Sequence, residues 1–128
     1  MAVAVREETV TDVDRVMEAT LDVYARRCDL ATEMPLAELL AVPSGLGAVR
    51  AVVGSADRAV EVVLDSDVDA ASIASAAWAL NAKGFTTTVL VSLDRLGEAH
   101  DGLRGTPCRL QGWWTVEGSV VFGAFETP

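Results

Sequence analysis

The chain has 128 residues, of which 51% are hydrophobic, and this length and apolarity predict a single domain over residues 1–128 that needs neither a disulfide framework nor a structural metal. Its formal net charge of −9 at pH 7 argues against nucleic acid and anionic membranes as partners, because phosphate binding needs a basic patch and the ten Lys and Arg side chains are scattered. No signal peptide and no apolar stretch long enough to span a bilayer is visible, so we expect a soluble cytoplasmic protein.

Residues 9–28, TVTDVDRVMEATLDVYARRC, predict an amphipathic helix. Its apolar side chains recur at steps of three or four residues, which places them on one face: Val13, Val16, Met17, Leu21, Tyr24 and Cys28. Thr11 is the predicted N-cap, and the acidic first turn and the basic last turn both complement the helix dipole. A second, short helix is predicted from Pro35 to Ala41, with its leucines buried.

The segment AVPSGLGA breaks the chain, and two strand candidates follow it. They are predicted over Ala48–Val53 and Ala59–Asp65 and are joined by the hairpin-like turn GSAD. The next helix is predicted from Asp69 to Lys83, with Asp67 or Asp69 as its cap and Gly84 as its terminator.

The β-branched segment TTTVLVS at residues 86–92 predicts a strand. Ser92 then resembles an N-cap, and a weaker helix is predicted from Leu93 to Leu103. Gly97 and Gly102 each weaken that helix by roughly 1 kcal/mol relative to alanine.

The chain closes with a predicted hairpin, Cys108–Val116 and Ser119–Phe125, that turns at Glu117–Gly118. The strand–helix–strand unit in the middle of the chain should be right-handed with parallel strands, whereas hairpins are antiparallel. The predicted fold class is therefore α+β (mixed α/β), with one mixed sheet, a central β-α-β unit, flanking β-hairpins and helices packed on the sheet. The pattern leaves the order of the strands open.

Three carboxylates stand at two-residue spacing at the end of the second predicted strand: Asp65, Asp67 and Asp69. Ligands in open α/β sheets bind at the carboxyl ends of parallel strands, and Asp65 and Ser92 are each the first polar residue after an apolar strand. If the two strands are neighbours, Asp65, Asp67 and Ser92 form a candidate ligand or metal site. The preferred interpretation is simpler: Asp67 and Asp69 cap the following helix, and Asp65 ends the strand in solvent.

Asp-x-Asp at the end of a strand, with Ser ending a later strand, resembles the opening motif of the haloacid dehalogenase-like phosphatases. The resemblance implies Asp65 as a nucleophile, Asp67 as a general acid/base and a bridging Mg²⁺. The resemblance ends at this motif, because Val68 and Asp69 follow Asp67 with no glycine. The family also needs a later lysine to neutralise the phosphate, and the only lysine here, Lys83, precedes the second strand.

Other catalytic and metal motifs are missing from the sequence. An EF-hand calcium loop needs Gly and Glu at positions that are Ala70 and Ala76 here. His100 is the only histidine, and Cys108 is the thiol nearest to it in the chain, but no nucleophile motif surrounds either residue. We therefore assign no catalytic residue, no metal site and no cofactor.

The predicted central helix has two apolar rows. Ala70, Ile73, Ala77 and Leu80 form the row expected to pack on the sheet, whereas Ala74, Trp78 and Ala82 turn away from it. Either the N-terminal helix covers Trp78, which is the preferred alternative, or this second row is a subunit interface, where tryptophan is enriched.

The adjacent residues Trp113 and Trp114 should point to opposite faces of the last hairpin. One of them can join the core with Phe122 or Val120, and the other needs cover. Phe125 lies on an apolar strand that would invite pairing with a second copy if it formed a sheet edge.

Two functions are open from the sequence. The first is a non-catalytic protein-interaction or homo-oligomerising module that uses the Trp78 face or the C-terminal hairpin. The second is a small ligand-binding or metal-dependent phosphoryl-processing domain with its site around Asp65, Asp67 and Ser92.

Overall fold

The computed structural model describes residues 12–56 and 58–128 of the protein. Within these ranges the chain forms three α-helices and six β-strands, which in chain order are α1 (Asp12–Arg26), β1 (Ala31–Pro35), β2 (Arg50–Gly54), β3 (Ala59–Val63), α2 (Ala74–Ala82), β4 (Thr86–Ser92), α3 (Leu96–Gly102), β5 (Arg109–Val116) and β6 (Ser119–Glu126). Short 3₁₀ turns cover Leu36–Glu38, Ser44–Leu46, Ala70–Ile73 and Leu93–Arg95. None of the helices in the described ranges is long and apolar enough to cross a membrane.

The six strands make one mixed sheet in the order β1-β2-β3-β4-β5-β6. Strands β1, β2 and β3 pair antiparallel, β3, β4 and β5 pair parallel, and β5 and β6 pair antiparallel. The predicted mixed sheet with a central β-α-β unit and flanking hairpins is therefore confirmed. The spatial order follows the chain order, so no strand crosses over another.

Helices cover both faces of the sheet. Helix α1 packs on β1, β2, β3 and β6, and the buried residues beneath it are Val16, Met17, Tyr24, Val52, Val63, Leu90 and Trp113. Helices α2 and α3 pack on the opposite face, over a larger cluster that includes Val60, Val62, Ile73, Leu80, Val89, Val91, Leu103 and Leu110. Because successive strand residues point to opposite faces, β3 sends Val60 and Val62 to one cluster and Val63 to the other. Both sides of the central strands are thus buried.

The N-terminal helix forms as predicted, with one correction. Val16, Met17 and Tyr24 of its apolar row are buried. Cys28 is exposed, because the helix ends at Arg26 and the backbone at Cys28 adopts a φ of 57°, which turns its side chain off the buried row. The predicted cap, Thr11, lies outside the described residues.

The prediction of a short helix from Pro35 to Ala41 is wrong. Ala31–Pro35 is strand β1, and only a 3₁₀ turn follows it. Proline is tolerated here because β1 is an edge strand, where a missing N–H need not break the ladder. Leu36 is still fully buried, in the cluster beneath α2.

The two remaining helices each begin with a 3₁₀ turn. Asp69 caps the first of them, since its carboxylate accepts a hydrogen bond from the Ala71 N–H at 3.4 Å. Gly84, with a φ of 89°, follows the end of α2 as predicted. Ser92 occupies the N-cap position of the 3₁₀ turn before α3, as predicted, but its side chain makes no capping hydrogen bond.

Candidate functional site

The carboxyl ends of the parallel strands β3, β4 and β5 open into a cavity of about 920 Å³. We call it the carboxyl-edge cavity, and its lining is Asp12, Val13, Leu64, Asp65, Ser66, Asp67, Ser92, Leu93, Asp94, Arg95, Trp113, Trp114 and Thr115. The structure therefore brings the three residues predicted from the sequence, Asp65, Asp67 and Ser92, to one cavity. They meet because β3 and β4 are parallel neighbours, with Val63 opposite Leu90.

The three aspartates after β3 have different local roles. The Asp65 carboxylate accepts hydrogen bonds from the Ser66 N–H at 2.6 Å and the Ser66 hydroxyl at 3.3 Å, and so shapes the turn. Asp69 is the helix cap described above. The carboxylate of Asp67 is exposed and makes no hydrogen bond within the described part of the chain. The helix-cap interpretation is thus correct for Asp69 and leaves Asp67 at the cavity.

Arg95 holds this turn in place, and the sequence analysis did not single it out. Its guanidinium donates to the carbonyl oxygens of Asp65 at 2.9 Å and Val68 at 2.6 Å, and pairs with the Glu98 carboxylate at 2.7 Å. The hydrogen bond from Arg95 lowers the pKa of Glu98. Because Glu98 and two carbonyl groups already engage this cation, the other charges among the described lining residues are those of the aspartates.

The tryptophan pair divides between the two faces of β5, as predicted. Trp113 is only 9% exposed and packs in the cluster beneath α1, with Phe122 and Val120 against that cluster. Trp114 is half-buried and lies across Gly123, where a Cβ atom would stand 3.3 Å from the ring. The indole N–H of Trp113 is buried and has no hydrogen-bond partner among the described residues.

No group of three or more His, Cys, Asp and Glu side chains that could hold a metal ion occurs in residues 12–56 and 58–128. Asp65, Asp67 and Ser92 share a cavity without forming such a group.

His100 and Cys108 are each bound to other partners. The His100 Nε2 atom lies 2.7 Å from the Glu126 carboxylate, and the Cys108 thiol lies 3.2 Å from the Thr106 hydroxyl. Burial raises the pKa of the Cys108 thiol, which disfavours the nucleophilic thiolate. The two side chains form no pair with each other.

The candidate interface residues lie on two separate surfaces. Trp78 is 55% exposed on α2, beside half-buried Ala74 and exposed Ala82. Helix α1 packs on the opposite face of the sheet, so the expectation that it covers Trp78 is wrong. Phe125 is 49% exposed on β6, which is an edge strand, and the Arg109 guanidinium lies 3.8 Å above its ring.

No family model, curated protein or solved structure matches the chain. The indications of function therefore come from the carboxyl-edge cavity and the exposed surfaces. Two features of the cavity matter most, namely its surplus of carboxylates and its tryptophans.

Proposed function

We propose that the protein is a ligand-binding domain, and that its carboxyl-edge cavity takes a small organic cation with an ammonium or guanidinium group. One observation carries the proposal: exposed aspartates and two tryptophans surround a single cavity, and the one arginine among its described lining residues is already engaged. The position agrees with the general rule that open α/β sheets bind ligands beyond the carboxyl ends of their parallel strands.

The electrostatics of the cavity favour a cation. Its lining includes Asp12, Asp65, Asp67 and Asp94, and Arg95 is the only basic residue among the described lining residues. The carboxylates of Asp67 and Asp94 make no hydrogen bond to any other described residue, so they remain available to N–H donors. Charge-assisted hydrogen bonds of this kind are stronger than neutral ones.

The tryptophans favour an organic cation over a hydrated metal ion. An indole face attracts an ammonium or guanidinium group by roughly 0.5–2 kcal/mol, depending on how far the cation is desolvated. The volume of about 920 Å³ is in the range of small-molecule sites. We therefore expect a ligand whose cationic group contacts the aspartates and whose remaining part packs against the indole rings.

The experiment is a thermal-shift and calorimetric titration with agmatine, putrescine and choline, which present a guanidinium, two ammonium groups and a quaternary ammonium. A probe at about 100 times its dissociation constant adds about 2.7 kcal/mol to the free energy of unfolding. The variant D67N/D94N should weaken binding roughly tenfold, and added salt should weaken it further.

The matched control is E18Q/D22N, which removes two exposed carboxylates from α1, away from the cavity. It should leave the affinity nearly unchanged. If none of the probes binds, or if both double variants weaken binding equally, the proposal fails.

Stabilisation by Mg²⁺ together with phosphate would instead favour the phosphoryl-processing alternative. In that case Asp65→Asn should abolish the effect, because Asp65 is the residue that the phosphatase resemblance makes the nucleophile.

A second candidate function is a protein-interaction or homodimerising module in the cytoplasm. The observation that favours it is Trp78, which is 55% exposed on a helix where small alanines would let a partner approach closely. The edge strand β6 with Phe125 offers a second surface for pairing.

Analytical ultracentrifugation over a range of concentrations tests this candidate. Trp78→Ala should shift the equilibrium toward monomer, whereas Leu30→Ala, at an exposed leucine elsewhere on the surface, should not. A monomer at every concentration would count against the homodimer.

A further inference from the structure

A second, smaller pocket lies at the opposite end of the sheet. It has a volume of about 220 Å³ and lies between the C-terminal half of α1 and the amino ends of β3, β4 and β5. We call it the amino-edge pocket. It shares no lining residue with the carboxyl-edge cavity, so any ligand it binds is independent of the function proposed above.

One row of residues lies on the sheet face beneath this pocket, and the two ends of the row, Glu61 and Arg109, line the pocket. The strand register places Glu61 of β3 opposite Thr88 of β4, and Thr88 opposite Arg109 of β5. Since neighbouring strands lie about 4.8 Å apart, the Glu61 and Arg109 backbones are separated by about 10 Å on the same face. An acidic and a basic side chain thus flank a single threonine beneath α1.

Contacts from outside the row fix each charged group. The Tyr24 hydroxyl donates to both carboxylate oxygens of Glu61, at 2.9 Å and 2.6 Å. The Arg109 guanidinium lies 3.8 Å above the Phe125 ring, and its Nη2 donates to the Thr88 hydroxyl at 3.1 Å. Both ends of the row are therefore preorganised, which reduces the entropy lost when a ligand binds.

Arg109 and Arg27 attract the Glu61 carboxylate electrostatically, but neither is close enough to form an ion pair with it. Within the described residues neither Glu61 nor Arg109 forms an ion pair, and the buried Nε of Arg109 has no hydrogen-bond partner. A partly buried charged group whose hydrogen bonds are incomplete costs free energy. A ligand that carries both an ammonium and a carboxylate would remove that cost at both ends.

We propose that the amino-edge pocket binds a small amino acid, with its ammonium group at Glu61 and its carboxylate at Arg109. The carboxylate matches the N–H fork of a guanidinium. Phe122 and Phe125 offer apolar contact to the ligand, and the pocket is also lined by polar side chains, namely Thr20, Arg27, Thr86 and Gln111.

The test is a titration with a series of amino acids whose two charged groups lie at increasing separation: glycine, β-alanine and γ-aminobutyrate, with alanine and valine as side-chain probes. Methylamine and acetate present only one charge each. At least one amino acid should raise the melting temperature, and both single-charge probes should bind much more weakly.

Glu61→Gln and Arg109→Met should each weaken binding roughly tenfold or more, because each removes a charge-assisted contact. Glu33→Gln is the matched control, since Glu33 is an exposed carboxylate of β1 that pairs with Arg50 outside the pocket. Binding that all three variants retain would overturn the proposal, as would no binding by any amino acid in the series.

Chemical-shift mapping on the unmodified protein keeps the test decisive if a variant fails to fold. The backbone amide resonances of Glu61, Thr88 and Arg109 should shift on addition of the amino acid. Shifts confined to Asp67 and Trp114 would mean that it binds at the carboxyl-edge cavity, which would contradict this inference while leaving the proposed function intact.

Discussion

The Tyr24 hydroxyl donates to both carboxylate oxygens of Glu61, and so joins helix α1 to strand β3. Burial raises the pKa of both groups. The hydrogen bond from Tyr24 acts on Glu61 in the opposite direction, because it stabilises the ionised carboxylate. The stability of α1 on the sheet and the titration of Glu61 are thus coupled through one bond.

Tyr24→Phe should lower the free energy of unfolding by about 1 kcal/mol, since it removes one hydroxyl and leaves the ring packed. It should also raise the pKa of Glu61 further, because the donor that favours the carboxylate is lost. Urea denaturation measures the first effect, and an NMR titration of the side-chain carboxyl carbon of Glu61 measures the second. An unchanged pKa would show that the hydroxyl does not bind Glu61 in solution.

The raised pKa of Glu61 gives the protein a defined pH dependence. Below its ordinary value of 4.5 the carboxyl group is protonated in both the folded and the unfolded states. As the pH rises above that value, the unfolded state ionises first, so the contribution of Glu61 to stability falls and is fully lost above the folded pKa. Nearby Tyr24, Arg27 and Arg109 moderate this loss, and burial outweighs them.

Glu61→Gln removes the titration. The stability of the native sequence relative to Glu61→Gln should therefore fall as the pH rises from below 4.5 to neutral. Urea denaturation of both proteins over a pH series gives the difference directly. A difference that stays flat or increases with pH would contradict the sign.

Local patterns in the sequence predict most of the fold. The β-branched run of β4 and the glycine after α2 each specify their element without help from distant residues. Strand β1 was not predicted because ATEMP has no alternating apolar pattern, and it becomes a strand only by pairing with β2. The strand order has the same origin, since pairing depends on residues far apart in the chain.

The candidate site could be predicted only in part for a related reason. Asp65 and Ser92 stand out because each follows a strand, whereas Trp113 reaches the same cavity only through the parallel pairing of β5 with β4. The alternating pattern of β3 would place Glu61 on a solvent-facing side of the strand, but α1 covers that face of the sheet. Arg95 has no sequence signal, since its targets are backbone carbonyl groups.

The two glycines of α3 should respond to alanine in opposite directions. A Cβ at Gly102 would lie 2.8 Å from the backbone nitrogen of Ala71, where α3 packs closely on the turn before α2, whereas a Cβ at Gly97 meets nothing within 4 Å. Gly102→Ala should therefore destabilise the protein by about 1–3 kcal/mol. Gly97→Ala should stabilise it by up to about 1 kcal/mol through helix propensity. Thermal and urea unfolding of both variants test the pair, and equal effects would show that the close approach is absent.

The two cysteines should differ sharply in reactivity. Cys28 is exposed, whereas Cys108 is 8% exposed and burial raises the pKa of its thiol. A disulfide reagent under native conditions should label one thiol per chain quickly and the second only after unfolding. In the Cys28→Ser variant the fast phase of labelling should disappear. A fast phase that survives in this variant would mean that Cys108 is accessible.

Arg95 should contribute more to stability than its ion pair alone suggests. Its side chain is 18% exposed and donates to two backbone carbonyl groups in the turn after β3. Arg95→Met keeps much of the apolar stem but leaves both carbonyl groups without their donor, which should cost about 1–3 kcal/mol. The amide of Val68, which donates to the Asp65 carbonyl in the same turn, should exchange faster with solvent.

The control for this effect is Arg104→Met. Arg104 also pairs with an acidic residue three positions away, Asp101, but its side chain is 73% exposed and bonds to no carbonyl group among the described residues. An exposed pair of this kind contributes about 0–1 kcal/mol, so the control should unfold nearly like the native protein. Equal losses of unfolding free energy in the two variants would mean that Arg95 stabilises the protein through its charge. A larger loss in Arg95→Met, together with faster exchange at Val68, would assign it to the carbonyl groups that hold the rim of the carboxyl-edge cavity.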